Sequence, residues 1–352
     1  MKIAVLVSGG VDSSVALAEL VLQGHECRAF YLKIWLEDEL AYLGQCPWQE
    51  DLSYVQAVCA QLGVSLTVLS LQKEYWESVV ASVIADVKAG YTPNPDILCN
   101  QRIKFGVFFS AIDSSFEKVA TGHYAHLIHT QGTVVLHESP DPIKDQTYFL
   151  SQLSLDQLSR ALFPLGLYTK PQVRALATAY NLPTKDRKDS QGICFLGSFK
   201  FRDFLKHHLK TLPGRLIEQE TDKVVGMHEG FWFYTIGQRQ GLGLGGGPWY
   251  VVAKDVEKND VFISRNYYAD EKKRNQLWVQ QCRWFSGNQP QKDQLQVKLR
   301  HGVQKYRCTI KNNADGLFVT LDGNDQGIAA GQFAVFYDEG VCLGGGVMDV
   351  KD

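Results

Sequence analysis

The chain has 352 residues, of which 45% are hydrophobic and 21% charged, and its formal net charge is −2. This length supports two or three domains with their own cores, and the composition is typical of a globular protein. No apolar run is long enough to cross a bilayer, and residues 1–8 lead into a motif rather than a cleavage site. We therefore expect a soluble, cytoplasmic protein without membrane contact.

The first half of the sequence predicts strands that alternate with helices. The predicted strands are 3–7, 26–35, 65–71 and 118–121, and the predicted helices are 13–23, 51–62, 73–89 and 101–113. Gly24, Gly63 and Gly90 stand where three of these helices would end. Alternation of this kind is typical of an α/β domain with a parallel sheet, which binds ligands at the carboxyl ends of its strands. A hairpin near 125–138 and helices near 144–152, 155–162 and 170–181 extend this domain to residue 197.

The second half of the sequence has a different texture. Residues 198–210 predict a basic amphipathic helix, and Pro213-Gly214 then marks a break. Short apolar runs and many glycines follow, which is typical of β structure. The polar stretch Ala269–Asn275 predicts a linker. We therefore expect a small central domain over 198–270 and a C-terminal β domain over 276–352.

The segment Ser8–Ser14 (Ser-Gly-Gly-Val-Asp-Ser-Ser) joins the apolar run Ile3–Val7 to the helical pattern Val15–Leu22. A glycine turn between a strand and a helix presents backbone N–H groups and a helix N-terminus to an anion. Asp12 in such a site suggests Mg²⁺ between phosphates. The segment lacks the lysine of a Walker A loop and is similar to the SGGxDS loop of enzymes that adenylate a substrate and release pyrophosphate. The alternative is a glycine turn without a ligand.

Charge is distributed unevenly along the chain. Residues 1–100 carry five Lys/Arg and twelve Asp/Glu, whereas residues 185–215 carry eight Lys/Arg and three Asp, with His207 and His208 among them. A local basic stretch suggests contact with a polyanion, and the alternative is a solvated helix face.

The cysteines do not form a recognisable metal or disulfide framework, because no pair has CxxC spacing. Most of them lie in apolar patterns and are expected to be buried. Cys99 and Cys194 alone lie in polar, motif-like segments. The eight are Cys27, Cys46, Cys59, Cys99, Cys194, Cys282, Cys308 and Cys342.

Cys99 lies in the stiff, proline-containing segment Thr92–Asn100, before a helix that we expect to begin near Gln101. A cysteine beside a helix N-terminus has its thiolate stabilised, and Asp96 stands three residues before it, a spacing that suits proton transfer. The alternative is a capped helix entry in which Cys99 is a filler.

Cys194 lies in the segment Asp189–Phe195, where Gly192 allows a tight backbone. The surrounding Lys185, Arg187 and Lys188 favour a thiolate, and the alternative is a buried cysteine in a short strand. Together with Cys99 and the loop at Ser8, this pattern suggests that one cysteine carries sulfur and the other resolves it.

Three further segments have the composition of a binding site or of a turn. Thr121–Ala125 follows a strand on the ligand side of the sheet, so that Gly122 is expected to permit close approach of adenosine and His123 to contact the ligand or to be structural. Lys144–Leu150 offers a cation and an amide before an apolar helix, or a capped helix start. Tyr234–Gly247 is rich in glycine but does not join a strand to a helix, so it is read as a β-turn region with an exposed arginine.

Taken together, these segments resemble the tRNA-specific 2-thiouridylase family, within the superfamily of PP-loop ATP pyrophosphatases. The resemblance rests on six motifs in family order over nearly the whole chain: Ser8–Ser14, Asn94–Asn100, Thr121–Ala125, Lys144–Leu150, Gly192–Phe195 and Tyr234–Gly247. It implies an adenine-nucleotide α-hydrolase-like domain, a small central domain that contributes to tRNA binding, and a C-terminal β-barrel. It also implies a sulfurtransferase that replaces the carbon-2 oxygen of the wobble uridine (position 34) of tRNA by sulfur.

The resemblance implies a role for individual residues. ATP, a substrate that enters with Mg²⁺, would adenylate the uridine oxygen, and Cys194 would receive a persulfide sulfur from a donor protein. Cys99 would then attack the persulfide, either freeing hydrosulfide or forming a Cys99–Cys194 disulfide as AMP leaves, with Asp96 as general acid and base. No bound organic cofactor is expected, and we expect a monomer. The implied ATP-site residues are Leu6, Val7, Ser8, Gly9, Gly10, Val11, Asp12, Ser13, Leu32 and Gly122. The implied tRNA contacts are Asn94, Pro95, Asp96, His123, Lys144, Asp145, Gln146, Arg300, His301 and Gln332.

The chain departs from the family pattern in a few places. Leu6-Val7 stands where the family often has Gly-Met, Leu32 where a methionine is expected, and Arg300-His301 where the family has Arg-Tyr.

Three other functions are compatible with part of the sequence. A small-molecule amidotransferase-type ligase explains the loop but not the two cysteines, an iron–sulfur-dependent tRNA thiolase would use Asp96, Cys99 and Cys194 around a cluster, and a non-catalytic RNA-binding protein leaves the intact motif residues unexplained.

Overall fold

A computed structural model describes residues 1–34, 48–130, 133–189, 201–269, 274–314 and 316–350 of the protein. Cys46, Cys194 and most of the predicted linker at Ala269–Asn275 lie outside these residues. In the described ranges, no helix combines the length and the hydropathy needed to span a membrane.

The first half of the chain forms a parallel sheet covered by helices. The strands in this half of the chain are β1 (Lys2–Leu6), β2 (Glu26–Lys33), β3 (Leu66–Ser70), β4 (Lys118–Ala120), β5 (His126–Thr130), β6 (Thr133–His137) and β7 (Ala161–Leu162). Five of them form the sheet in the order β3-β2-β1-β4-β7, with every neighbouring pair parallel. Because β1 lies between β2 and β4, the connections leave it in opposite directions, and the carboxyl ends of β1 and β4 flank the switch point where such sheets bind ligands.

The helices agree with the predicted alternation. They are α1 (Val11–Leu22), α2 (Trp48–Leu62), α3 (Gln72–Tyr75, the π-helical Trp76–Val80 and Ala81–Lys88), α4 (Pro95–Leu98, the π-helical Cys99–Val107 and Phe108–Ala111), α5 (Thr147–Leu150), α6 (Leu155–Arg160), α7 (Lys170–Ala179) and α8 (Phe201–His208). Gly24, Gly63 and Gly90 have φ values of +78°, +66° and +89°, so they end helices in the left-handed conformation, as predicted.

Helix α1 is buried on two sides, which places its N-terminus rigidly. Leu17 and Leu20 pack on the sheet with Ile3 and Val5, whereas Val15 packs with α7 on the opposite side. The buried apolar surface on both faces holds the helix against the end of β1.

The expected start of α4 near Gln101 is wrong. The helix begins at Pro95, because the Asn94 side chain caps it by accepting from the Ile97 N–H at 3.3 Å, and because a proline at the first helical position has no N–H to satisfy. Cys99 consequently lies inside the helix, where its own N–H is bonded to Asp96 and Pro95 carbonyls, rather than before its N-terminus. The proposed stabilisation of a Cys99 thiolate by a helix N-terminus is therefore also wrong.

The second half of the chain is β structure, as expected. The central strands are β8 (Gly214–Glu218), β9 (Lys223–His228), β10 (Tyr250–Asp255) and β11 (Asp260–Ser264), in the order β10-β11-β8-β9. The C-terminal strands are β12 (Gln276–Trp284), β13 (Gln294–Lys298), β14 (Tyr306–Asn313), β15 (Gly316–Asp322), β16 (Phe333–Asp338) and β17 (Val341–Asp349). These six form a closed barrel, because β12 pairs with both β15 and β17. The fold class is thus confirmed: a parallel α/β sheet domain, a central part and a C-terminal β-barrel.

The hairpin β5–β6 joins the first half of the chain to the barrel. It was expected only as an extension of the first domain, but β6 pairs with β17 of the barrel, Val341 opposite His137 and Cys342 opposite Leu136. The sheet of the barrel therefore continues into the hairpin that follows the Thr121–Ala125 segment.

Candidate active site

A cavity of about 430 Å³ opens at the carboxyl ends of β1 and β4. Its wall includes nine of the ten residues expected at the ATP site; the exception is Gly9. The wall also includes Cys99, His123, Lys144 and Gln146, so the structure brings the motifs of four separate segments into one site. The nine are Leu6, Val7, Ser8, Gly10, Val11, Asp12, Ser13, Leu32 and Gly122.

The loop after β1 leaves the N-terminus of α1 without a side-chain cap. Gly10 is the N-cap residue, and no side chain accepts a hydrogen bond there. The hydroxyls of Ser13 and Ser14 instead donate to the Gly10 carbonyl, at 3.1 and 2.9 Å, which closes the turn on itself. Uncapped N–H groups and the helix dipole then favour an anion in the cavity.

Two glycines allow the walls of this site to approach each other. A Cβ on Gly122 would lie 2.8 Å from the Ser13 nitrogen and 2.9 Å from the Asp12 carbonyl carbon. A Cβ on Gly9, which has φ +78°, would lie 2.6 Å from the Asp51 carbonyl oxygen. Gly122 was expected to admit adenosine; the contact that the structure gives it is close packing against the first turn of α1.

Asp12 is engaged by two side chains. Its Oδ1 accepts from Lys170 Nζ at 2.6 Å and from the Tyr124 hydroxyl at 2.7 Å. Lys170 Nζ also contacts Asp189 Oδ1 at 2.9 Å, so the lysine links the loop to the segment that precedes Ser190. Burial, followed by the charge and hydrogen bond of Asp12, raises the pKa of Tyr124 well above its usual value, so this hydroxyl stays protonated and donates.

Asp189 is surrounded by cations. Lys144 Nζ contacts its Oδ2 at 2.7 Å, and Arg174 Nη2 contacts its Oδ1 alongside Lys170. Partial burial acts to raise the pKa of Asp189, but hydrogen bonds from Lys144 and Lys170 outweigh it and hold this pKa well below the ordinary value. The carboxylate is therefore ionised across the physiological range.

Arg187 connects the loop that follows β1 to helix α2. It donates to the Gly9 carbonyl at 2.8 Å and pairs with Asp51 at 2.8 Å, while its guanidinium lies 4.3 Å from the centre of the Tyr54 ring. The sequence had suggested only a cation that would favour a thiolate at Cys194, so this second role was not anticipated.

His123 lies in the cavity wall, and a hydrogen bond and aromatic packing hold its ring. Its Nδ1 lies 2.7 Å from Thr121 Oγ1, and its ring packs against Phe105 and Phe163. Burial, followed by the positive charge of Lys104, keeps the pKa of His123 well below its usual value. The ring is therefore neutral at pH 7 and can offer one donor and one acceptor.

Cys99 contributes to the cavity wall, and two unsatisfied side-chain oxygens belong to residues close to it in α4. Asp96 Oδ1 and Asn100 Oδ1 are buried without a hydrogen-bond partner among the described residues. Buried acceptors of this kind are costly unless a ligand or water satisfies them. Asp96 precedes Cys99 by three residues and lies on the same side of the helix, whereas Asn100 directly follows Cys99 and lies on a neighbouring side.

Residues of the barrel surround the start of α4. Gln332 donates to the carbonyls of Thr92 and Pro93 at 2.9 and 3.2 Å, and His301 stacks on Phe149 with ring centres 4.7 Å apart. Phe149 in turn accepts from Asn100 at 3.1 Å through its carbonyl. Three residues that are distant in sequence from Cys99 thus border its segment.

The other predicted tRNA contacts have internal partners in this structure. Gln146 accepts from the Tyr124 N–H at 3.0 Å, and Arg300 pairs with Asp325. Asp145 is buried, with 3% of its surface exposed, and pairs with Lys298 at 2.8 Å. Their contacts with RNA remain predictions. Cys194 lies outside the described residues, so the structure does not test its distance from Cys99.

Sequence reasoning did not assign Lys170, Arg174 or Tyr124 to the site. Lys170 and Arg174 belong to α7, which comes to the cavity because α7 packs on α1. Tyr124 follows His123 within a motif that was recognised, but its hydroxyl was given no role. Helix-to-helix packing of this kind has no local signal in sequence.

Three family models match consecutive parts of the chain. One described as tRNA methyl transferase HUP domain matches residues 1–198, one described as tRNA methyl transferase PRC-barrel domain matches 202–265, and one described as aminomethyltransferase beta-barrel domain matches 274–348. Among solved structures, NMN synthetase from Francisella tularensis has a TM-score of 0.35 and 18% identity, covering 54% of this chain and 66% of that chain, which is too remote to compare sites.

Curated relatives match over nearly the whole length. The tRNA-specific 2-thiouridylase MnmA of Porphyromonas gingivalis is 42% identical and covers 99% of both sequences. The tRNA-specific 2-thiouridylase MnmA 1 of Bacteroides thetaiotaomicron is 44% identical and covers 98% of this chain and 99% of the relative. The resemblance carried by the six motifs is thereby confirmed, and the chain belongs to the tRNA-specific 2-thiouridylase family.

Proposed function

We propose that this protein catalyses the ATP-dependent 2-thiolation of a uridine in tRNA, the wobble uridine at position 34. The observation that carries the proposal is that one cavity is lined both by the Ser8–Ser13 loop and by Cys99. An adenylation loop alone fits many reactions, but a thiol in the same cavity fits an adenylate that is attacked by sulfur. The names of the full-length relatives support the same reaction.

In the first step, the uridine carbon-2 oxygen attacks the α-phosphorus of ATP. The bond to the pyrophosphate oxygen breaks and its electron pair leaves with pyrophosphate, while the N3 proton passes to a base, for which we propose Asp96. The unsatisfied Asp96 Oδ1 is an acceptor suited to the N3–H of uracil. Mg²⁺ enters with ATP as part of the substrate; Asp12, one carboxylate in the cavity wall, suits a metal ion that also takes phosphate oxygens and water.

In the second step, sulfur replaces the activated oxygen. A donor protein leaves a sulfane sulfur on Cys194 as a persulfide, and the terminal sulfur attacks carbon 2, so that the carbon–oxygen bond breaks and AMP leaves. The Cys99 thiolate attacks the sulfur of Cys194, and the electron pair of the sulfur–sulfur bond passes to the sulfur on the uridine. The thiouracil anion regains its N3 proton from Asp96, and the products are 2-thiouridine, AMP and a Cys99–Cys194 disulfide, which an external thiol must reduce.

Binding of tRNA involves all three parts of the chain in this proposal. We propose domains over 1–197, 198–270 and 276–352, acting as a monomer. Asn94–Asp96 hold the extruded base, and Arg300, His301 and Gln332 lie on the barrel side of that segment. Extruding the base is the general route to chemistry on a nucleotide that is otherwise stacked.

The other candidate functions explain fewer features of the site. A small-molecule ligase leaves unexplained why Cys99 lies in the cavity of the adenylation loop. An iron–sulfur thiolase predicts a visible absorption band in protein prepared without oxygen, with activity that follows the band.

The deciding experiment is thiolation of unmodified tRNA by the purified full chain with MgATP and a persulfide donor. We expect 2-thiouridine and an equal amount of AMP, and we expect Cys194→Ser and Cys99→Ser to abolish the thiolated product. Cys194→Ser must still release pyrophosphate from MgATP in the presence of tRNA, because adenylation precedes sulfur transfer. Full thiolation by Cys194→Ser would refute the persulfide relay, and AMP formation that needs no RNA would refute the assignment of the substrate.

A further inference from the structure

Three cations converge on a single carboxylate at the edge of the cavity. Lys144 Nζ lies 2.7 Å from Asp189 Oδ2, Lys170 Nζ lies 2.9 Å from Asp189 Oδ1, and Arg174 contacts the same Oδ1. Lys170 also reaches Asp12 at 2.6 Å, so the cluster touches the first turn of α1. Lys144, Asp189 and Asp12 all lie in the wall of the cavity.

The positive charge of Lys144, Lys170 and Arg174 exceeds the single negative charge of Asp189. Counting Asp12 and Asp141, three carboxylates face Lys144, Lys170 and Arg174. Lys188 also lines the cavity wall, and together with the positive end of the α1 dipole, which no side chain caps, it makes the site net positive. The side chains of Lys144, Arg174 and Asp189 are 36%, 32% and 27% exposed, so the pairing is open to exchange with a solute. A phosphate group offers more acceptor oxygens than one carboxylate does, and it pairs with Arg and Lys in the same way.

From this arrangement we propose that Lys144, Lys170 and Arg174 form the binding site for the β- and γ-phosphates of ATP, and that the Asp189 carboxylate occupies this site when no nucleotide is bound. The inference rests on the proposed use of ATP and identifies the residues that receive the leaving group. When uridine attacks the α-phosphorus, the electron pair of the broken bond moves onto pyrophosphate, and these three cations stabilise the charge that develops there. Asp189 competes with the polyphosphate, so its pairing lowers the affinity for ATP and assists the release of pyrophosphate.

The proposal changes the role of Lys144. The family resemblance implies a contact with tRNA for this residue, whereas the structure directs its ammonium group toward Asp189 at the cavity wall. The two roles predict different effects of substituting Lys144. A phosphate contact predicts weaker binding of pyrophosphate in the absence of RNA, whereas a tRNA contact predicts weaker binding of tRNA in the absence of nucleotide.

The test is calorimetric titration of the RNA-free full chain with MgATP, magnesium pyrophosphate and AMP. Lys144→Gln and Arg174→Gln should each weaken ATP and pyrophosphate binding by about tenfold, the usual value of one charge-assisted hydrogen bond, and should leave AMP binding within about twofold. Asp189→Asn should tighten pyrophosphate binding by about tenfold, because the competing charge is gone. Lys170 is not varied, because its loss would also leave Asp12 without its cation.

Lys185→Gln is the matched control, since it removes the same charge in the neighbouring segment from a lysine whose ammonium group donates to Asn181. The Lys185 backbone carbonyl, which accepts from Arg174, is unchanged by this substitution. AMP binding reports whether each variant is folded. Equal losses for AMP and ATP in Lys144→Gln and Arg174→Gln would overturn the assignment of these residues, and weaker pyrophosphate binding by Asp189→Asn would overturn the competition. A Lys144→Gln variant that loses tRNA affinity but keeps pyrophosphate affinity would return this residue to RNA. A wild-type chain that binds none of the three ligands would instead refute the proposed function.

Discussion

At the scale of single residues, Gly122 shows how the packing of the site depends on one hydrogen atom. The Gly122→Ala substitution would place a methyl group 2.8 Å from the Ser13 nitrogen, against backbone that cannot rotate away. We expect the start of α1 to shift, with a loss of about 1–3 kcal/mol in the free energy of unfolding and weaker binding of ATP. Chemical denaturation and ATP titration measure the two effects.

Gly245→Ala is the control for Gly122→Ala. Nothing lies within 4 Å of a Cβ at Gly245, and its φ is outside the left-handed region. Alanine there should change neither stability nor ATP affinity. If both substitutions leave ATP binding unchanged, the close contact between Gly122 and α1 does not hold the helix N-terminus in place.

The buried ring of His123 predicts a dependence of stability on pH. Its folded pKa lies below the unfolded value of about 6.5, so the unfolded chain binds the proton more readily and stability falls as the pH drops below about 6.5. A loss of up to about 1.4 kcal/mol per pH unit is expected from this residue. His123→Asn keeps a group able to bond Thr121 but cannot titrate.

Urea denaturation at about pH 7 and about pH 5 tests the His123 prediction by comparing wild type with His123→Asn. The variant should lose less stability between the two pH values. His126 and His129 also have lowered pKa values, by burial first, and contribute equally to both proteins. An identical pH dependence in the two proteins would show that protonation of His123 costs nothing.

At the scale of the element, the start of α4 combines a cap with a predicted contact to the base. Asn94→Ala removes the hydrogen bond to the Ile97 N–H and should cost about 1 kcal/mol of stability, because an N-cap is lost. Asn94→Asp keeps an acceptor at the same place and should restore the stability. Thermal unfolding measures both.

Thiolation by the two Asn94 variants separates the roles of this residue. If Asn94 also donates to the uracil, Asn94→Asp regains stability without regaining activity, because a carboxylate has no N–H. Full activity of Asn94→Asp would mean that Asn94 caps α4 but does not donate to the uracil. An Asn94→Ala variant as stable as wild type would mean that the cap does not stabilise α4.

Local signals were enough to predict most helices and strands. Gly24, Gly63 and Gly90 end helices as expected, because a left-handed residue after a helix has a strong sequence preference. The sequence places the start of α4 too late, because Pro95 suits a loop as well as the first helical position, which it occupies in the structure.

The candidate site was only partly predictable, for a physical reason. The loop at Ser8 and the cysteine at position 99 are visible as motifs, and the parallel sheet brings their segments to one edge. The cations at Lys170 and Arg174 reach the cavity through the packing of α7 on α1, which depends on residues far apart in sequence. Gln332 and His301 likewise come from the barrel, whose position no local pattern indicates.

At the scale of the whole molecule, Lys298 links the barrel to the first half of the chain. The residue ends β13, has 2% of its surface exposed, and contacts Asp145 at 2.8 Å and Glu138 at 3.1 Å. Asp145 directly precedes Gln146, which holds Tyr124 beside Asp12. The ion pairs therefore connect the barrel to the segment that shapes the cavity.

Removing this lysine should destabilise the protein strongly. Lys298→Met keeps much of the side-chain volume but leaves the buried carboxylate of Asp145 without its cation, so we expect a loss of about 3–5 kcal/mol in the free energy of unfolding. Lys292→Met is the control, because its pair with Asp338 lies at the surface, where water screens the attraction, so its loss should change the stability little. Denaturant unfolding of the full chain measures both.

The double variant Lys298→Met with Asp145→Asn distinguishes a charge effect from a packing effect. If the loss arises from an uncompensated buried charge, neutralising Asp145 recovers a substantial part of it, because a single amide oxygen at the Oδ1 position still accepts from the Ser139 N–H and the Thr147 hydroxyl. If packing is the cause, the second substitution adds a further loss. A Lys298→Met variant as stable as wild type would mean that β-sheet pairing between β6 and β17 holds the barrel to the first half without these ion pairs.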